Sequence, residues 1–377
     1  MFRKAKLSAL VNVAQSLTLV RNQRGSVLLM VAFTITALFA FAALAIDGAI
    51  MMTARTQLHN AADAAALAGA SGLLQGGPDV AIDRAIRFAS LNNAVEKKLS
   101  TVKITADDIS FPAPNIIRVR THRTEATDDA LRTYFLRIVR PINGNRTDVS
   151  ATSAAQVYDI CGARCLKPWM IPDRWDDANN NDIYDDGEYY DKDATGYTAA
   201  LDAGTQVVLK VSDPHETIES GVFFPVTYPP LDTGQGNPET GAKDYYNWIV
   251  GCTPYLVNSG DRVVIEPGNM VGPTRHGLEE LTAQDPNAYW NDYSECVSGS
   301  AYARSPRIAL VPFFDPRFPP TSGRNWITVT KIGAFFIEQL HPNGDVTGRF
   351  IKVTAQGSPC SNKALGNSMV KGIALVE

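Results

Sequence analysis

Oxygen-bearing side chains recur at regular positions between Asp177 and Glu188, in the stretch DANNNDIYDDGE. A twelve-residue calcium loop of the EF-hand type takes side-chain oxygens from positions one, three, five, nine and twelve, and a backbone carbonyl from position seven. With Asp177 as position one, these ligands are Asp177, Asn179, Asn181, Asp185 and Glu188, with Ile183 supplying the carbonyl. The sequence therefore predicts a calcium site, and a polar Asn/Asp turn of the same composition is the alternative.

The surroundings of this loop differ from those of a paired EF-hand. Position six, where the sharp turn favours glycine, holds Asp182, and aspartate tolerates a left-handed conformation less readily than glycine does. Pro172 and Trp175 stand where an entering helix would lie. The number of oxygens and the flexible loop favour calcium over magnesium, which demands a tighter octahedron. We expect an EF-like loop in a strand-and-loop context, in which the ion stabilises the loop.

All five cysteines lie in the second part of the chain, at positions Cys161, Cys165, Cys252, Cys296 and Cys360. Disulfides are expected if this part is exported, and the odd number leaves one thiol free. We expect Cys252 to pair with Cys296, and Cys360 to pair with either Cys161 or Cys165. A zinc site is the alternative, but a single Cys-x-x-x-Cys pair with scattered histidines matches structural zinc spacing poorly.

Catalytic and nucleic-acid-binding patterns are missing from the sequence. It contains neither Gly-x-Ser-x-Gly nor His-Glu-x-x-His, and the stretch from Gly236 holds Ala242 where a phosphate loop needs lysine. His215 is a lone histidine beside acids, which is more often solvated than a general base. The net charge of −4 and the lack of a basic stripe argue against nucleic acid. We expect no enzyme activity.

Val27 to Ile46 form an uncharged apolar run of twenty residues. At 1.5 Å per residue, a helix of this length matches the roughly 30 Å hydrocarbon core of a bilayer. Positive charges precede the run at Arg3, Lys4, Lys6, Arg21 and Arg24, and the first acidic residue, Asp47, follows it. This asymmetry predicts a cytoplasmic N-terminus and an exported body. A cleaved signal peptide is the alternative, because Ala43-Leu44-Ala45 has the small-x-small form.

The helix is predicted to continue beyond the membrane until the breaker Gly76-Gly77-Pro78. Small and apolar residues recur on its exported half at spacings of three and four, namely Ile50, Ala54, Leu58, Ala61, Ala65 and Ala68. Such a methyl stripe suits close packing of the helix, either on a folded domain of the chain or between copies in an assembly. The alternative is that alanine is present only as the best helix former.

Residues Arg24 to Ser71 resemble the N-terminal module of the Tad (tight adherence) pilus-assembly proteins of the TadE/TadG-like kind. The resemblance rests on Arg-Gly, a membrane helix, an Asp near its outer end, and Gln-x-x-x-Ala-Ala-Asp-Ala-Ala-Ala-Leu-Ala-Gly-Ala. It implies an envelope-anchored protein of a bacterial Flp-type pilus or related secretion apparatus. A true prepilin carries Glu five residues after the glycine that precedes its cleavage point. Here Met30 holds that position, which argues against a major pilin and leaves cleavage after Gly25 open.

The remaining chain divides by composition near residue 159. Residues 1–26 form a basic cytoplasmic segment, 27–46 the transmembrane helix and 47–76 its exported continuation. Residues 77–159 read as a small pilin-like α/β unit that includes a helix in TDDALRTYFLRIVR, and 160–377 as an antiparallel β-rich sandwich or barrel-like domain with the calcium loop and the cysteines. The predicted fold class is α+β, with a long membrane-spanning helix on a small sheet followed by a β-rich domain.

Two functions are compatible with this organisation. The first is a non-catalytic, calcium-stabilised, pilin-like assembly component anchored in the bacterial inner membrane by a single span. Its expected partners are the membrane and other pilus subunits that pack on the Ala-rich helix. These subunits could include further copies of the same protein. The second is an envelope-anchored adhesin or ligand-binding module, in which the helix serves only as the anchor.

Overall fold

A computed structural model describes residues 24–93, 101–127, 129–135, 146–211, 218–228, 241–266, 270–320, 325–342, 345–360 and 366–376 of the chain. Its α-helices are α1 (Arg24–Ser90), α2 (Ala242–Val250) and α3 (Val271–Gln284). Its strands, in chain order, are β1 (Ile109–Ala113), β2 (Ile116–Arg123), β3 (Leu131–Arg132), β4 (Arg146–Thr147), β5 (Val149–Ala163), β6 (Trp169–Pro172), β7 (Gln206–Val211), β8 (Val222–Thr227), β9 (Val257–Asn258), β10 (Arg262–Ile265), β11 (Tyr289–Asn291), β12 (Cys296–Ser298), β13 (Ile308–Phe314), β14 (Trp326–Thr328), β15 (Lys331–Leu340), β16 (Val346–Phe350), β17 (Val353–Thr354), β18 (Gly357–Pro359) and β19 (Val370–Val376).

Helix α1 consists of two segments that meet at a glycine pair. Gly76 and Gly77 have non-helical backbone angles, and Gly77 adopts a φ of 75°, which glycine accepts without a Cβ clash. Pro78 follows at the first position of the second segment, where its missing N–H costs no helical hydrogen bond. Arg84 of the second segment donates to the Ser71 hydroxyl at 2.9 Å. The second segment therefore folds back beside the end of the first, and the predicted breaker is confirmed.

The first sheet has the strand order β1-β2-β5-β19-β17, and β9 and β18 pair with the far end of β5. Its longest contact is the antiparallel pairing of β2 with β5, which runs from Ile116↔Gln156 to Arg123↔Val149. Helix α1 packs on one face of this sheet. The core between them consists of alanines from the helix and of branched aliphatic side chains from the strands, such as Ile117, Val119 and Val157.

The second sheet closes on itself. Strands β8, β6, β13, β15, β16 and β7 pair in that order, and the parallel pairing of β7 with β8 completes a ring, to which β10 and β14 are added at one side. Large aromatic side chains fill the ring. Phe313 and Phe350 are both buried, with ring centroids 5.7 Å apart. This domain carries a larger core than the first sheet does, because aromatic side chains rather than methyl groups occupy it.

The predicted α+β class, with a long apolar helix followed by a β-rich domain, is confirmed. Three details differ. The second sheet is mixed, because β6 pairs with β13 and β7 with β8 in parallel. The boundary expected after Asp159 falls inside β5, and β19, from the end of the chain, pairs with β5 in the first sheet.

The helix predicted in TDDALRTYFLRIVR is wrong in its described part. Residues 131 and 132 form β3, which pairs with β4. Leu131 and Thr133 are buried whereas Arg132 and Tyr134 are exposed, so burial alternates with the period of two that a strand requires. The apolar spacing of the segment resembles that of a helix only because further apolar residues follow it.

Candidate functional site

The apolar half of α1 has almost no contact with the rest of the chain. Within the described residues, one helix is long and apolar enough to cross a membrane, and it lies near the N-terminus. Residues 27–42 of this helix are exposed throughout, including Leu28, Phe33 and Phe41. Large apolar side chains do not remain in water at this density, so this half anchors the protein in a membrane. The basic residues Arg3, Lys4, Lys6 and Arg21 lie outside the described residues.

The methyl stripe begins where this exposure ends. Its predicted packing residues are all buried: Ala54, Leu58, Ala61, Ala65 and Ala68. Leu58, Ala61 and Ala65 belong to the core that α1 shares with the first sheet of the same chain, and β5 and β2 are the main neighbours of α1. A polar contact reinforces the packing, because the Thr121 hydroxyl of β2 donates to the Leu58 carbonyl at 2.8 Å. Of the two arrangements that the sequence left open, the structure shows packing on the chain's own domain.

Two glycines allow the backbones around the stripe to approach closely. A Cβ placed on Gly72 would lie 2.6 Å from the Ala81 Cα, and one on Gly69 would lie 2.4 Å from Ile117 Cδ1. The missing side chain of Gly72 therefore lets the second segment of α1 pack closely on the first, and that of Gly69 lets the sheet pack closely on the helix. These contacts explain the two glycines at the end of the stripe: a Cβ on Gly72 would clash with backbone, and a Cβ on Gly69 would require the Ile117 side chain to move.

Hydrogen bonds within the chain already close the loop 177–188. Asp177 accepts from the backbone N–H of Asn181 at 3.3 Å and of Asp182 at 2.9 Å. Glu188 accepts from the N–H groups of Ala178 and Asp185, both at 3.1 Å. Asp182 has a φ of 60°, the left-handed conformation that the sequence requires at position six of the loop. These bonds bring the first and last predicted ligands to the same small turn.

The asparagine side chains of this loop are directed at Asp185. The amide groups of Asn179 and Asn181 each donate to Asp185 Oδ2 at 2.8 Å. Each amide oxygen accepts from a backbone N–H, at 3.0 Å for Asn179 and 2.8 Å for Asn181. Among the described residues, no group of three His, Cys, Asp or Glu side chains is arranged to hold a metal ion. A cation at this loop would have to displace both amide NH₂ groups from Asp185.

A buried ion pair fixes the base of the loop. Asp173, at the end of β6, accepts from Lys331 Nζ at 2.8 Å and from the Tyr190 hydroxyl at 3.0 Å. Burial raises the pKa of Asp173 and lowers the pKa of Lys331, although each partner opposes the shift of the other. The N–H of Asp176 donates to the Tyr189 carbonyl at 2.9 Å. The two ends of the loop are therefore bonded to each other and to the second sheet.

The disulfide pairing differs in part from the expected one: Cys360 is bonded to Cys161, one of the two partners left open for it, but Cys252 is not bonded to Cys296. Cys165 is bonded to Cys252 and Cys161 to Cys360, with Cα–Cα distances of 4.5 Å and 4.8 Å. The predicted Cys252–Cys296 bond is therefore wrong. Backbone pairing explains the outcome, because β18 returns along β5 to place Cys360 beside Cys161, and the Cys165 N–H donates to the Thr253 carbonyl. Cys296 carries an exposed free thiol in the β11–β12 hairpin.

A shallow groove of about 810 Å³ lies between α3 and the end of β15. Its charged residues are largely engaged within the chain. The Arg307 guanidinium donates to four backbone carbonyls, and Glu338 accepts from Arg349 at 2.9 Å. His341 is bonded to the Thr347 hydroxyl at 2.7 Å, and His215, the histidine considered as a base, lies outside the described residues. The groove therefore offers a ligand few unpaired charged groups.

Comparison with known proteins identifies one part of the chain. Residues 25–72 match the family model described as "Putative Flp pilus-assembly TadE/G-like". The matched residues include the membrane half of α1 and the methyl stripe, and the match ends at Gly72, the residue that seats the returning helix. No curated protein and no solved structure is detectably similar to the chain.

Proposed function

We propose that this protein is a non-catalytic structural component of a Tad-type pilus-assembly apparatus, or of a related envelope apparatus, with its N-terminus in the cytoplasm and its body exported. The observation that carries the proposal is the Tad match over residues 25–72. The matched residues form the exposed apolar half of α1 and, in the same helix, the methyl stripe that packs on the first sheet. The family match and the packing of the methyl stripe concern the same segment of α1. The match concerns the anchoring module, so the role of the β-rich domain is part of the proposal.

The exported orientation is supported by charge and by the disulfides. The segment before Val27 carries five basic and no acidic residues, the pattern of a cytoplasmic flank. The Cys161–Cys360 and Cys165–Cys252 bonds lie beyond the membrane helix, and disulfides persist in oxidising compartments outside the cytoplasm.

The exposed thiol of Cys296 provides a direct test of orientation. A membrane-impermeant maleimide added to spheroplasts should label the full-length protein, because this thiol would face the side opened by removal of the outer layers. The Cys296→Ser variant is the matched control and should not be labelled. Labelling that appears only after the inner membrane has been permeabilised would show that the body is cytoplasmic and would refute the orientation.

Contacts with other subunits are proposed to use the uncovered part of α1. The methyl stripe is occupied by the first sheet, so its side chains are not available to a partner helix. The membrane half remains free of contacts over residues 27–42. Small apolar and β-branched residues there suit helix–helix packing within a bilayer. In lipid, helices associate through close van der Waals packing rather than through the hydrophobic effect.

Deleting the coding sequence tests the assembly role. Loss of surface filaments, restored by the wild-type copy, is the expected result. Intact filaments with lost surface attachment would instead favour the adhesin alternative, in which α1 serves only as an anchor. Intact filaments with unchanged attachment would contradict both functions.

Calcium binding by the loop 177–188 is a separate part of the proposal. It is supported by the ligand spacing, by the left-handed Asp182 and by the hydrogen bonds that Asp177 and Glu188 accept within the loop. The ion would be held by oxygens of the five side chains and the Ile183 carbonyl, and it would rigidify the turn. Rotation of the two asparagine amides would exchange their NH₂ groups for oxygens.

Isothermal titration of the full-length protein in detergent tests the calcium site. The wild type should release or absorb heat with calcium at millimolar concentrations, and Asp177→Ala combined with Glu188→Ala should abolish it. Asp186→Ala is the matched control, because Asp186 is an exposed acid of the same loop outside the ligand positions. Absence of heat in the wild type, or equal heats in all three proteins, would remove the site.

A further inference from the structure

Asp47 is a buried carboxylate at the point where the apolar run of α1 ends. It follows Ile46 directly, and its exposed fraction is only 1%. Its Oδ1 accepts the backbone N–H of Tyr134 at 2.9 Å, and its Oδ2 accepts that of Phe135 at 2.8 Å. Hydrogen bonds from two N–H groups to a carboxylate are charge-assisted and stronger than neutral ones. Asp47 therefore clamps the segment after β3 to the helix.

This clamp determines the height of the segment relative to the membrane. Asp47 is one residue beyond the apolar run, which corresponds to a rise of about 1.5 Å along the helix. The backbone of Tyr134 and Phe135 lies within hydrogen-bond distance of its side chain. Ala43, one turn nearer the membrane on the same helix face, is also buried. The segment 131–135 therefore lies beside the residue at which the apolar run of α1 ends.

The side chains of this segment point in two directions. Leu131 and Thr133 are each 2% exposed and face the protein. Tyr134 is 59% exposed and Phe135 37% exposed, so two aromatic rings lie uncovered beside the end of the membrane helix. Arg132, also exposed, adds a positive charge two residues before Tyr134. Aromatic rings with a nearby cation are the residues that concentrate at membrane–water interfaces.

We propose that the segment 131–135 is a second membrane contact, in which Tyr134 and Phe135 insert among the lipid headgroups while Asp47 holds their backbone. The occupant of this surface is the bilayer itself, because the surface is continuous with the span that enters it. The contact fixes the depth and tilt of α1, which a single helix leaves free. This inference rests on the membrane anchoring of α1 and is independent of any pilus role.

Spin-label accessibility in the full-length protein tests this contact. Tyr134→Cys in a Cys296→Ser background is labelled with a nitroxide and reconstituted in vesicles of phosphatidylcholine and phosphatidylglycerol. Collisions with oxygen, which concentrates in lipid, are compared with collisions with a water-soluble nickel complex. Tyr302→Cys is the matched control, since Tyr302 is 51% exposed in the β-rich domain. Leu38→Cys, within the span, gives the value for lipid.

A several-fold higher oxygen-to-nickel ratio at position 134 than at position 302 is the expected result. Adding Asp47→Asn should lower the ratio at 134 towards that at 302, because the NH₂ group that replaces one carboxylate oxygen cannot accept an N–H. A water-like ratio at 134 with a lipid-like ratio at 38 would overturn the proposal while leaving the anchor intact. A ratio at 134 that Asp47→Asn leaves unchanged would overturn the clamp. Spin–spin broadening between copies would assign the surface to a second copy instead.

Discussion

Gly72→Ala and Gly48→Ala should change stability in opposite directions, although both glycines lie within α1. A Cβ on Gly72 would meet the Ala81 Cα at 2.6 Å, the Ala81 N at 2.8 Å and the Val80 carbonyl carbon at 2.9 Å. These are backbone atoms, which cannot yield by a change of rotamer. At Gly48 no atom beyond the neighbouring helical backbone lies within 4 Å of the added Cβ.

The expected magnitudes follow from two opposing effects. Alanine is favoured over glycine inside a helix by about 1 kcal/mol. Overpacking of a close contact typically costs about 1–3 kcal/mol, and the upper half of this range applies when backbone must move. Gly72→Ala should therefore lose about 1–2 kcal/mol of unfolding free energy. Gly48→Ala, which meets no such contact, should gain up to about 1 kcal/mol.

Thermal unfolding of the full-length protein in detergent, followed by far-ultraviolet circular dichroism, measures both changes. The melting temperature should fall for Gly72→Ala, by roughly 2–4 °C for each kcal/mol lost, and should not fall for Gly48→Ala. A Gly72→Ala protein as stable as the wild type would show that the two segments of α1 are not in close contact. A loss of equal size in both variants would show that glycine is needed for flexibility rather than for space.

Three further changes test the packing, the disulfides and the electrostatics. Ala65→Leu, at a fully buried position of the stripe, should destabilise by about 1–3 kcal/mol in the same melting assay, whereas Ala49→Leu on the exposed face should have little effect. Cys165→Ser should cost about 2–4 kcal/mol in a denaturant titration, and Cys296→Ser less than about 0.5 kcal/mol, because only the first removes a disulfide. Burial lowers the pKa of Lys167 from 10.5 to about 7, so between these values the unfolded chain binds one more proton than the folded chain. Unfolding free energy should therefore rise from pH 7 to pH 9, and Lys167→Met should flatten this rise; an equal slope in both proteins would contradict the burial of the charge.

The features of the fold that depend on a few neighbouring residues were predicted correctly from the sequence. The span was predicted from uninterrupted apolar composition and the helix end from Gly76-Gly77-Pro78, because backbone preferences act locally. The buried stripe was also visible, since a spacing of three and four defines one helix face. The sequence also predicted a small sheet beside the helix, but it left open whether the stripe packs on that sheet or between copies, because the sheet begins about forty residues later in the chain.

The errors share a different origin, which is dependence on distant pairing. The Cys165–Cys252 bond, which the sequence did not predict, joins residues 87 positions apart, and Cys161–Cys360, one of the two pairings left open for Cys360, joins residues 199 positions apart. Their identity follows from the strands that pair with β5, and spacing alone does not encode that order. The helix predicted around Leu131 failed for the same reason, because pairing with β4 and the bond of Tyr134 to Asp47 stabilise an extended backbone there.

The continuity of α1 gives the membrane half and the body a fixed relationship. The first segment of the helix is unbroken from Arg24 to the glycine pair, Ala43 and Asp47 are buried near the end of the apolar run, and Leu58 is the first helix residue in the core shared with the sheet. Eleven residues, or about three helical turns, therefore separate Asp47 from Leu58. A flexible linker would let the body rotate independently of the span, but a continuous helix that is bonded to the body at Asp47 and packed on the sheet along one face from Leu58 does not. Any partner that holds the span in the bilayer consequently also sets the orientation of the β-rich domain above it.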